Sequence, residues 1–224
     1  MNHSVFEPVL KENFPFWNSI SQSQRDHICA NTHKIAYEKG TVIHDGSECS
    51  GVILVRGGCL RVYMLSEEGK EITLYRLYPG DFCMLSASCV IEAITFDVMI
   101  EAEKKSECYA VNAKAFAEIA EESPQIKIFA LEAAVHRFSD VMWVMQQILF
   151  MSIDRRLAVF LLDETARTGK NTVELTHEQI AKNIGTAREV VSRMLKYFSS
   201  EGITEVSRKG IKISDKEKLR KLAL

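Results

Sequence analysis

Residues 175–206, LTHEQIAKNIGTAREVVSRMLKYFSSEGITEV, decide the fold of the C-terminal part of the chain. Thr176 is a favoured N-cap residue, and the apolar positions after it end at Gly185, where the chain can turn sharply. Thr186 then predicts the cap of a second helix. Five apolar residues of that helix recur at helical spacing and face a core: Val190, Val191, Met194, Leu195 and Phe198. Two short helices that meet at a glycine predict a helix-turn-helix.

The second helix carries four polar side chains on the face opposite these apolar residues: Arg188, Glu189, Ser192 and Arg193. In the major groove an arginine fork donates two hydrogen bonds to guanine, a glutamate accepts one from cytosine, and serine pairs with several bases. Side chains that are neighbours on such a helix reach adjacent base edges together. The pattern therefore predicts a base-reading surface, and a solvated helix face is the alternative.

A short basic hairpin is predicted after the second helix. Gly202 ends that helix, and residues 203–206 and 211–213 form two β-type runs around a turn of Arg208, Lys209 and Gly210. This hairpin predicts the winged form of the motif. Phosphate contacts position a protein on DNA without reading sequence, and we expect them from five residues: Thr176, His177, Thr186, Arg208 and Lys209. The alternative is a solvated hairpin that does not meet DNA.

Charge is distributed unevenly along the 224 residues, although the net charge is only -2. Residues 1–150 contain 13 Lys and Arg against 20 Asp and Glu, whereas residues 151–224 contain 15 against 10. Affinity for nucleic acid rests largely on neutralised phosphates, so the basic C-terminal part is expected to face DNA. The length and the 46% hydrophobic content allow one large domain or two modest ones with real cores.

The N-terminal part is predicted to be a compact β domain. From residue 35 the chain breaks into short β-type runs separated by turns that contain glycine: residues 35–37, 41–44, 52–56, 60–65 and 72–77. Short strands of this kind predict a barrel or a jelly roll. Together with the helical C-terminal part, they make the chain an α+β protein.

A long amphipathic helix is predicted between the two parts, over residues 125–150. Seven apolar residues alternate three and four positions apart and form a heptad seam: Ile128, Leu131, Val135, Phe138, Met142, Met145 and Leu149. Their period of about 3.5 residues favours a coiled-coil seam that a partner helix covers over packing on the chain's own barrel. A break at Met151-Ser152 precedes a further helix over 154–167. The expected domains are therefore 1–124, 125–150 and 151–224.

Two separate segments resemble the cyclic-AMP receptor and fumarate-nitrate regulator (Crp/Fnr) family. Arg188-Glu189-x-x-Ser192-Arg193 after T-x-x-x-I-A-x-x-I-G resembles its recognition helix, and residues 50–82, SGVILVRGGCLRVYMLSEEGKEITLYRLYPGDF, resemble its cyclic-nucleotide-binding cassette. The resemblance covers nearly all of the chain in the family's order. It implies an N-terminal β-barrel of the double-stranded β-helix or jelly-roll type, a long dimerisation helix and a C-terminal winged helix-turn-helix.

The resemblance also implies a function and its partners. A member of this family is a bacterial transcription regulator that acts as a homodimer and binds double-stranded DNA at an inverted repeat. It meets RNA polymerase, and an effector in the barrel controls it allosterically.

The effector cassette departs from the family pattern. The cyclic-AMP receptor carries a glutamate for the ribose and an Arg-Ser pair for the cyclic phosphate. In this sequence the glutamate position falls on Leu85, and the pair falls near Phe96 and Asp97. A buried phosphate beside an aspartate, without an arginine, is strongly disfavoured. We therefore expect an unidentified effector that is not a cyclic nucleotide, in a pocket of six residues: Phe82, Cys83, Leu85, Ser86, Cys89 and Phe96.

The six cysteines bear on two other kinds of sensor. An iron-sulfur cluster needs about four converging thiolates, and Cys29 alone precedes residue 49, which argues against that cofactor. Cys83 and Cys89 are close in sequence and lie in the cassette, so a thiol-redox sensor is one alternative. Most cysteines in folded proteins are buried, so the alternative interpretation is that Cys83 and Cys89 only pack in the core. A constitutive DNA-binding protein with a ligand-free barrel is a further alternative.

Sequence patterns for catalysis are missing. His27, His33, His44 and His136 are scattered, without the close spacing that a metal on a small barrel needs, so we expect no metal site. The chain lacks G-x-S-x-G, phosphate-loop and deaminase patterns, and we expect that it is not an enzyme. No secretory signal or membrane-spanning run is visible, which predicts a cytoplasmic protein without a membrane partner.

Overall fold

The computed structural model describes residues 5–45, 51–84 and 98–224. The chain divides into two compact units. The N-terminal unit comprises Met1–Leu65 and Leu74–Val141, and the C-terminal unit comprises Ser66–Thr73 and Met142–Leu224.

Two four-stranded sheets form the first part of the chain. The strands are β1 (Thr32–Tyr37), β2 (Val42–His44), β3 (Val52–Gly57), β4 (Leu60–Leu65), β5 (Glu71–Leu77), β6 (Phe82–Cys83), β7 (Met99–Ala102) and β8 (Ser106–Val111). One sheet has the order β1-β8-β3-β6 and the other β2-β7-β4-β5. Antiparallel pairing joins β3 to β8 and β4 to β7. The five β-type runs of the sequence are confirmed as strands, in an arrangement of the predicted jelly-roll kind.

Apolar side chains from both sheets pack together in one core cluster, which includes Ile53, Val62 and Ile100, all fully buried. A partly buried ion pair joins two strands of the second sheet. Arg61 on β4 faces Glu101 on β7 in the strand register, and the guanidinium Nε lies 2.9 Å from the carboxylate. The charge of Arg61 is therefore paired although its side chain is only 2% exposed.

Short helices flank the sheets, and the sequence analysis did not predict them. They are α1 (Glu7–Asn13), a 3-10 turn (Trp17–Ser19), α2 (Gln22–Ala30) and α3 (Ala113–Glu122). Apolar side chains of these helices and of the segments between them build a second core rich in aromatic rings, including Phe14, Phe16, Trp17 and Phe116. These helices span only two or three turns each, which is too short for a helical period to stand out in the sequence.

The long helix α4 runs from Pro124 to Phe150, as predicted. Ile126 and Ala130 in its first half are buried in the aromatic core. The next helix, α5, spans Ile153–Thr168 and ends at Gly169 in a left-handed conformation, so the predicted break and the helix after it are also confirmed. No helix of the described residues has both the length and the apolar character that crossing a membrane requires.

The rest of the C-terminal unit is a small winged helical domain. It contains β9 (Thr172–Val173), α6 (His177–Ile184), α7 (Arg188–Ser200), β10 (Thr204–Ser207), β11 (Gly210–Ile213) and α8 (Lys216–Ala223). The strands form a sheet of order β10-β11-β9. Its core combines Leu157 and Leu161 of α5, Ile180 of α6, and Leu195 and Phe198 of α7. Both helices of the predicted helix-turn-helix and its wing are confirmed, whereas β9 and α8 were not predicted.

One detail of the predicted motif is wrong. The N-cap of α7 is Ala187 rather than Thr186, and no side chain caps this helix. The N–H groups of Gly185 and Thr186 both donate to the carbonyl of Ala181, which closes the end of α6. Because Thr186 still belongs to that turn, α7 begins only at Arg188.

Candidate DNA-binding surface

A capping box fixes the start of α6. The hydroxyl of Thr176 accepts a hydrogen bond from the backbone N–H of Gln179 at 3.2 Å, and the Gln179 side chain accepts one from the N–H of Thr176 at 2.9 Å. Two N–H groups that the first helical turn leaves without a partner are thereby satisfied. This local sequence fixes where α6 begins, at His177.

Gly185 lets the chain turn between α6 and α7. Its φ is 64°, in the left-handed region that glycine adopts without steric cost. Three apolar residues of α7, Val191, Leu195 and Phe198, are fully buried below the turn and orient the helix. The opposite face of α7 is thereby directed outward.

The predicted base-reading residues do not share one environment. Arg188, Glu189 and Arg193 are exposed, as a surface that meets DNA requires. Ser192 is half-buried, and its hydroxyl oxygen lies 2.8 Å from Nδ1 of His177. The sequence analysis did not foresee this contact, because the two residues are 15 positions apart and meet only through the packing of the two helices.

His177 is held in an electropositive, partly buried place. Burial, and to a lesser extent the charge of Arg188, lower the pKa of the imidazole from its ordinary value. A neutral ring is therefore favoured near neutral pH.

A cleft of about 600 Å³ lies between the wing and the start of α6. Four of the five residues predicted to meet phosphates line it: Thr176, His177, Arg208 and Lys209. Thr186 does not. The cleft thus gathers two basic side chains and the N-terminal end of a helix, which is an arrangement that favours an anion. Glu174 also lines it, and Lys170 lies 2.9 Å from the carboxylate of Glu174.

The wing contains a glycine that no other residue can replace unless the neighbouring backbone moves. Gly210 has a φ of 126°, and a Cβ atom there would lie 2.4 Å from the carbonyl oxygen of Val173 on β9. The close approach of β9 fixes the base of the hairpin. At its tip, the N–H of Lys209 donates to the hydroxyl of Ser207 at 3.2 Å, and both Arg208 and Lys209 are exposed.

The predicted dimer seam on α4 is uncovered in the single chain. All seven residues are large, apolar and exposed, with exposed fractions from 44% for Met142 to 65% for Phe138. A run of apolar side chains this long on one helix is unusual for a surface that faces only water.

The predicted effector pocket is described only in part. Leu85, Ser86, Cys89 and Phe96 lie outside the described residues, as does Asp97. Phe82 stacks on Phe14, with ring centroids 4.8 Å apart, and Cys83 is buried among the strands. Both of these residues therefore have packing roles in the fold.

Arg137 on α4 is a charged neighbour of the cassette that the sequence analysis missed. Its guanidinium lies 3.0 Å from the carboxylate of Asp140 and 3.7 Å from that of Asp81, and it covers the ring of Tyr75. Burial raises the pKa of Tyr75 well above its ordinary value. The comparison of the cassette with the family pattern did not include Arg137, because Arg137 is 55 positions from Phe82 in the sequence. In the fold its guanidinium approaches the carbonyl of Phe82. Two carboxylates already compensate its charge.

Four cysteines of the described residues, Cys29, Cys59, Cys83 and Cys108, are buried, as predicted for packing residues. Burial raises the pKa of Cys59 and of Cys108 to about 12. Such thiols are poor nucleophiles near neutral pH. Cys49 and Cys89 lie outside the described residues.

A winged helix-turn-helix with an exposed basic recognition helix, preceded in the chain by a jelly-roll domain, defines a DNA-binding regulator. The comparisons with known proteins agree. Residues 34–123 match the cyclic nucleotide-binding domain, and residues 155–222 match the Crp-like helix-turn-helix domain.

Known relatives specify the family. A crystal structure from Eubacterium rectale, assigned to the Crp/Fnr transcriptional regulators, is 44% identical, with a TM-score of 0.90, over 95% of this chain and 99% of that chain. The transcriptional regulator flp of Lacticaseibacillus casei is 27% identical over 93% of this chain and 95% of its own length. The cAMP-activated global regulator CRP of Salmonella typhimurium is 24% identical over 77% of this chain and 85% of its own length. The chain belongs to the Crp/Fnr family of DNA-binding transcription regulators.

Proposed function

We propose that this regulator binds an inverted-repeat DNA site as a homodimer, under the control of an effector other than a cyclic nucleotide. Residues 1–124 form its sensor, 125–150 its dimerisation helix and 151–224 its DNA-binding domain. It acts in the bacterial cytoplasm, where its DNA lies, and meets RNA polymerase there.

The exposed face of α7 carries this proposal. Arg188, Glu189 and Arg193 are exposed on a helix that buries Val191, Leu195 and Phe198 on its other face, so the helix is anchored in the domain and accessible. A helix of this kind enters the major groove and presents its first residues to base edges. Arg193 reads a guanine and Glu189 a cytosine in each half-site.

The cleft beside α6 supplies the contacts that set the register on DNA. Arg208 and Lys209 reach phosphates from the wing, and Thr176 and His177 reach them from the helix start. These contacts add affinity without sequence preference. Thr186 is the weakest member of the predicted set, since it does not line the cleft.

The uncovered seam on α4 supports the homodimer. A heptad seam with a period of about 3.5 residues is matched by a helix of the same period, and a second copy provides one. Phe138 and Val135, at 65% and 64% exposure, lie near its middle. The two-fold axis of such a dimer matches the symmetry of an inverted repeat.

The control of DNA binding rests on the connection between the sensor and α4. Arg137 contacts Asp81 at the turn that precedes β6, so a ligand that moves this turn also acts on α4. A ligand shifts DNA affinity by the difference of its affinities for the two states of the protein.

One experiment tests the proposal as a whole. The full chain is titrated into fluorescent duplexes that carry one half-site or the complete inverted repeat, and light scattering gives the number of chains in each complex. We expect two chains on the inverted repeat and much weaker binding to a single half-site. Equal affinity for both duplexes, with one chain bound to each, would contradict the homodimeric mode.

A further inference from the structure

The contact between His177 and Ser192 connects the phosphate-binding cleft to the base-reading face of α7. His177 is the first residue of α6 and lines the cleft, while Ser192 lies on α7 beside Arg188 and Arg193. The 2.8 Å separation of Nδ1 and Oγ is a hydrogen bond whose direction depends on the proton of the imidazole. Whether the Ser192 hydroxyl donates a hydrogen bond to DNA or accepts one therefore depends on His177.

The groups around the imidazole favour its neutral form in the free protein. The charge of Arg188 on α7 acts on it, and Arg208 and Lys209 of the wing line the same cleft. Two carboxylates are near: Glu174 lines the same cleft, and Glu178 follows His177 on α6. Burial is the larger cause of the lowered pKa of His177, and the charge of Arg188 acts in the same direction.

A serine by itself does not distinguish bases, because its hydroxyl both donates and accepts. Adenine and cytosine present an amino donor in the major groove, whereas guanine and thymine present carbonyl acceptors. A second residue that fixes the hydroxyl proton would remove this ambiguity.

We propose that His177 fixes the hydrogen-bond polarity of Ser192 and thereby selects the base that Ser192 reads. This inference rests on the proposed base-reading role of α7. When Nε2–H of the neutral ring donates to a DNA phosphate in the cleft, Nδ1 has no proton and accepts one hydrogen bond from the Ser192 hydroxyl. Oγ then offers only lone pairs to DNA and selects the amino group of adenine or cytosine.

Protonation of His177 reverses this polarity. With both ring nitrogens protonated, Nδ1–H donates to Oγ of Ser192, and the hydroxyl proton becomes free to reach guanine O6 or thymine O4. The preference at one position of the half-site therefore changes between amino-bearing and carbonyl-bearing bases as the pH falls. A DNA phosphate raises the pKa of the bound imidazole, which brings the change closer to neutral pH.

The test measures affinity for a panel of inverted repeats in which each half-site position is varied through all four base pairs. Wild type, Ser192→Ala, His177→Phe and His177→Asn are compared at about pH 8, where the imidazole is neutral. The wild type is expected to prefer an amino-bearing base at one position by roughly three- to tenfold, the contribution of one hydrogen bond. Ser192→Ala and both His177 variants should lose this preference at that same position.

His177→Asn keeps a hydrogen-bonding partner but not its polarity, since the amide can rotate. If His177→Phe folds poorly, His177→Asn by itself still tests the role of His177. Lys209→Ala is the matched control in the same cleft, and it should weaken binding to every duplex alike. At about pH 5.5 the wild-type preference should move toward guanine or thymine, while His177→Asn shows no such change.

The outcomes separate this inference from the proposed function. If Ser192→Ala flattens one position but both His177 variants keep the wild-type profile, the polarity inference is wrong and base reading by Ser192 stands. If Ser192→Ala changes no position, Ser192 does not read a base and the inference fails with that assignment. Binding to the inverted repeat by Arg193 and Glu189 is measured on the other positions of the same panel.

Discussion

Arg156 on α5 donates a hydrogen bond from Nη1 to the backbone carbonyl of Ile184, the last residue of α6, over 2.9 Å. Arg156 is only 7% exposed, and burial lowers the pKa of its guanidinium. The carbonyl of Ile184 is one of those that the end of a helix leaves without a partner. A single buried side chain thus supports the turn from which α7 projects.

Arg156→Met should loosen the helix-turn-helix. The substitution keeps an apolar stem of similar length but leaves the Ile184 carbonyl buried without a partner, at a cost of about 1–3 kcal/mol. Native-state hydrogen exchange of residues 177–198 measures the opening free energy directly. Lys196→Met, on the exposed face of α7, is the control and should change stability by less than about 0.5 kcal/mol. Equal effects of the two substitutions would show that the Arg156 contact does not stabilise the turn.

Phe138→Asp should convert the protein to a monomer. In a two-fold coiled coil the substitution places two unpaired carboxylates at the middle of the seam, where their desolvation costs several kcal/mol. His136→Asp is the control, because it adds the same charge at an exposed position of α4 outside the seam. Light scattering measures the molar mass of both variants, and His136→Asp should remain a dimer. An intact dimer for Phe138→Asp would mean that the heptad residues pack elsewhere.

Arg193→Ala and Lys209→Ala should weaken DNA binding in different ways. Loss of the Arg193 fork costs about 1–3 kcal/mol and relaxes discrimination at the G·C pair that it reads. Loss of Lys209 weakens binding to all sequences, and the slope of log K against the logarithm of salt concentration becomes shallower by about one, because one phosphate contact is lost. Anisotropy titrations on matched and mismatched duplexes at several salt concentrations measure both effects. Loss of discrimination in Lys209→Ala, with Arg193→Ala still selective, would reverse the two assignments.

Local signals in the sequence predict much of the fold. The Thr176 cap and Gly185 each act within a few residues, so the boundaries of α6 follow from short-range chemistry. The strands follow from short β-type runs between turns that contain glycine, and α4 follows from apolar residues three and four positions apart. The order of the domains follows from the same patterns.

Contacts between distant residues could not be predicted in this way. Strand β9 has two residues and exists only because β11 pairs with it. The meeting of His177 with Ser192 depends on the packing of two helices, and the approach of Arg137 to Asp81 depends on the path of α4 past the sheets. The cap of α7 was misplaced because the closing turn of α6 uses the N–H of Thr186.

Neither cyclic AMP nor cyclic GMP should bind at micromolar concentration, which would require about 8 kcal/mol of favourable free energy. The expectation rests on Leu85, Phe96 and Asp97 at the positions where the cyclic-AMP receptor holds ribose and phosphate. The described residues add Arg137, but Asp81 and Asp140 already compensate its charge. Titration calorimetry with both nucleotides measures this, and saturable micromolar binding of either would show that a different residue receives the phosphate.

The most direct test of the central claim is selection of binding sites from random double-stranded DNA by the full chain, followed by sequencing. The proposed homodimer with Glu189 and Arg193 on its recognition helices predicts an inverted repeat. Each half-site should contain a TGA core, with the two half-sites about one helical turn, or about 34 Å, apart. Recovery of direct repeats, or of sites without the G·C pairs that these residues read, would contradict the account.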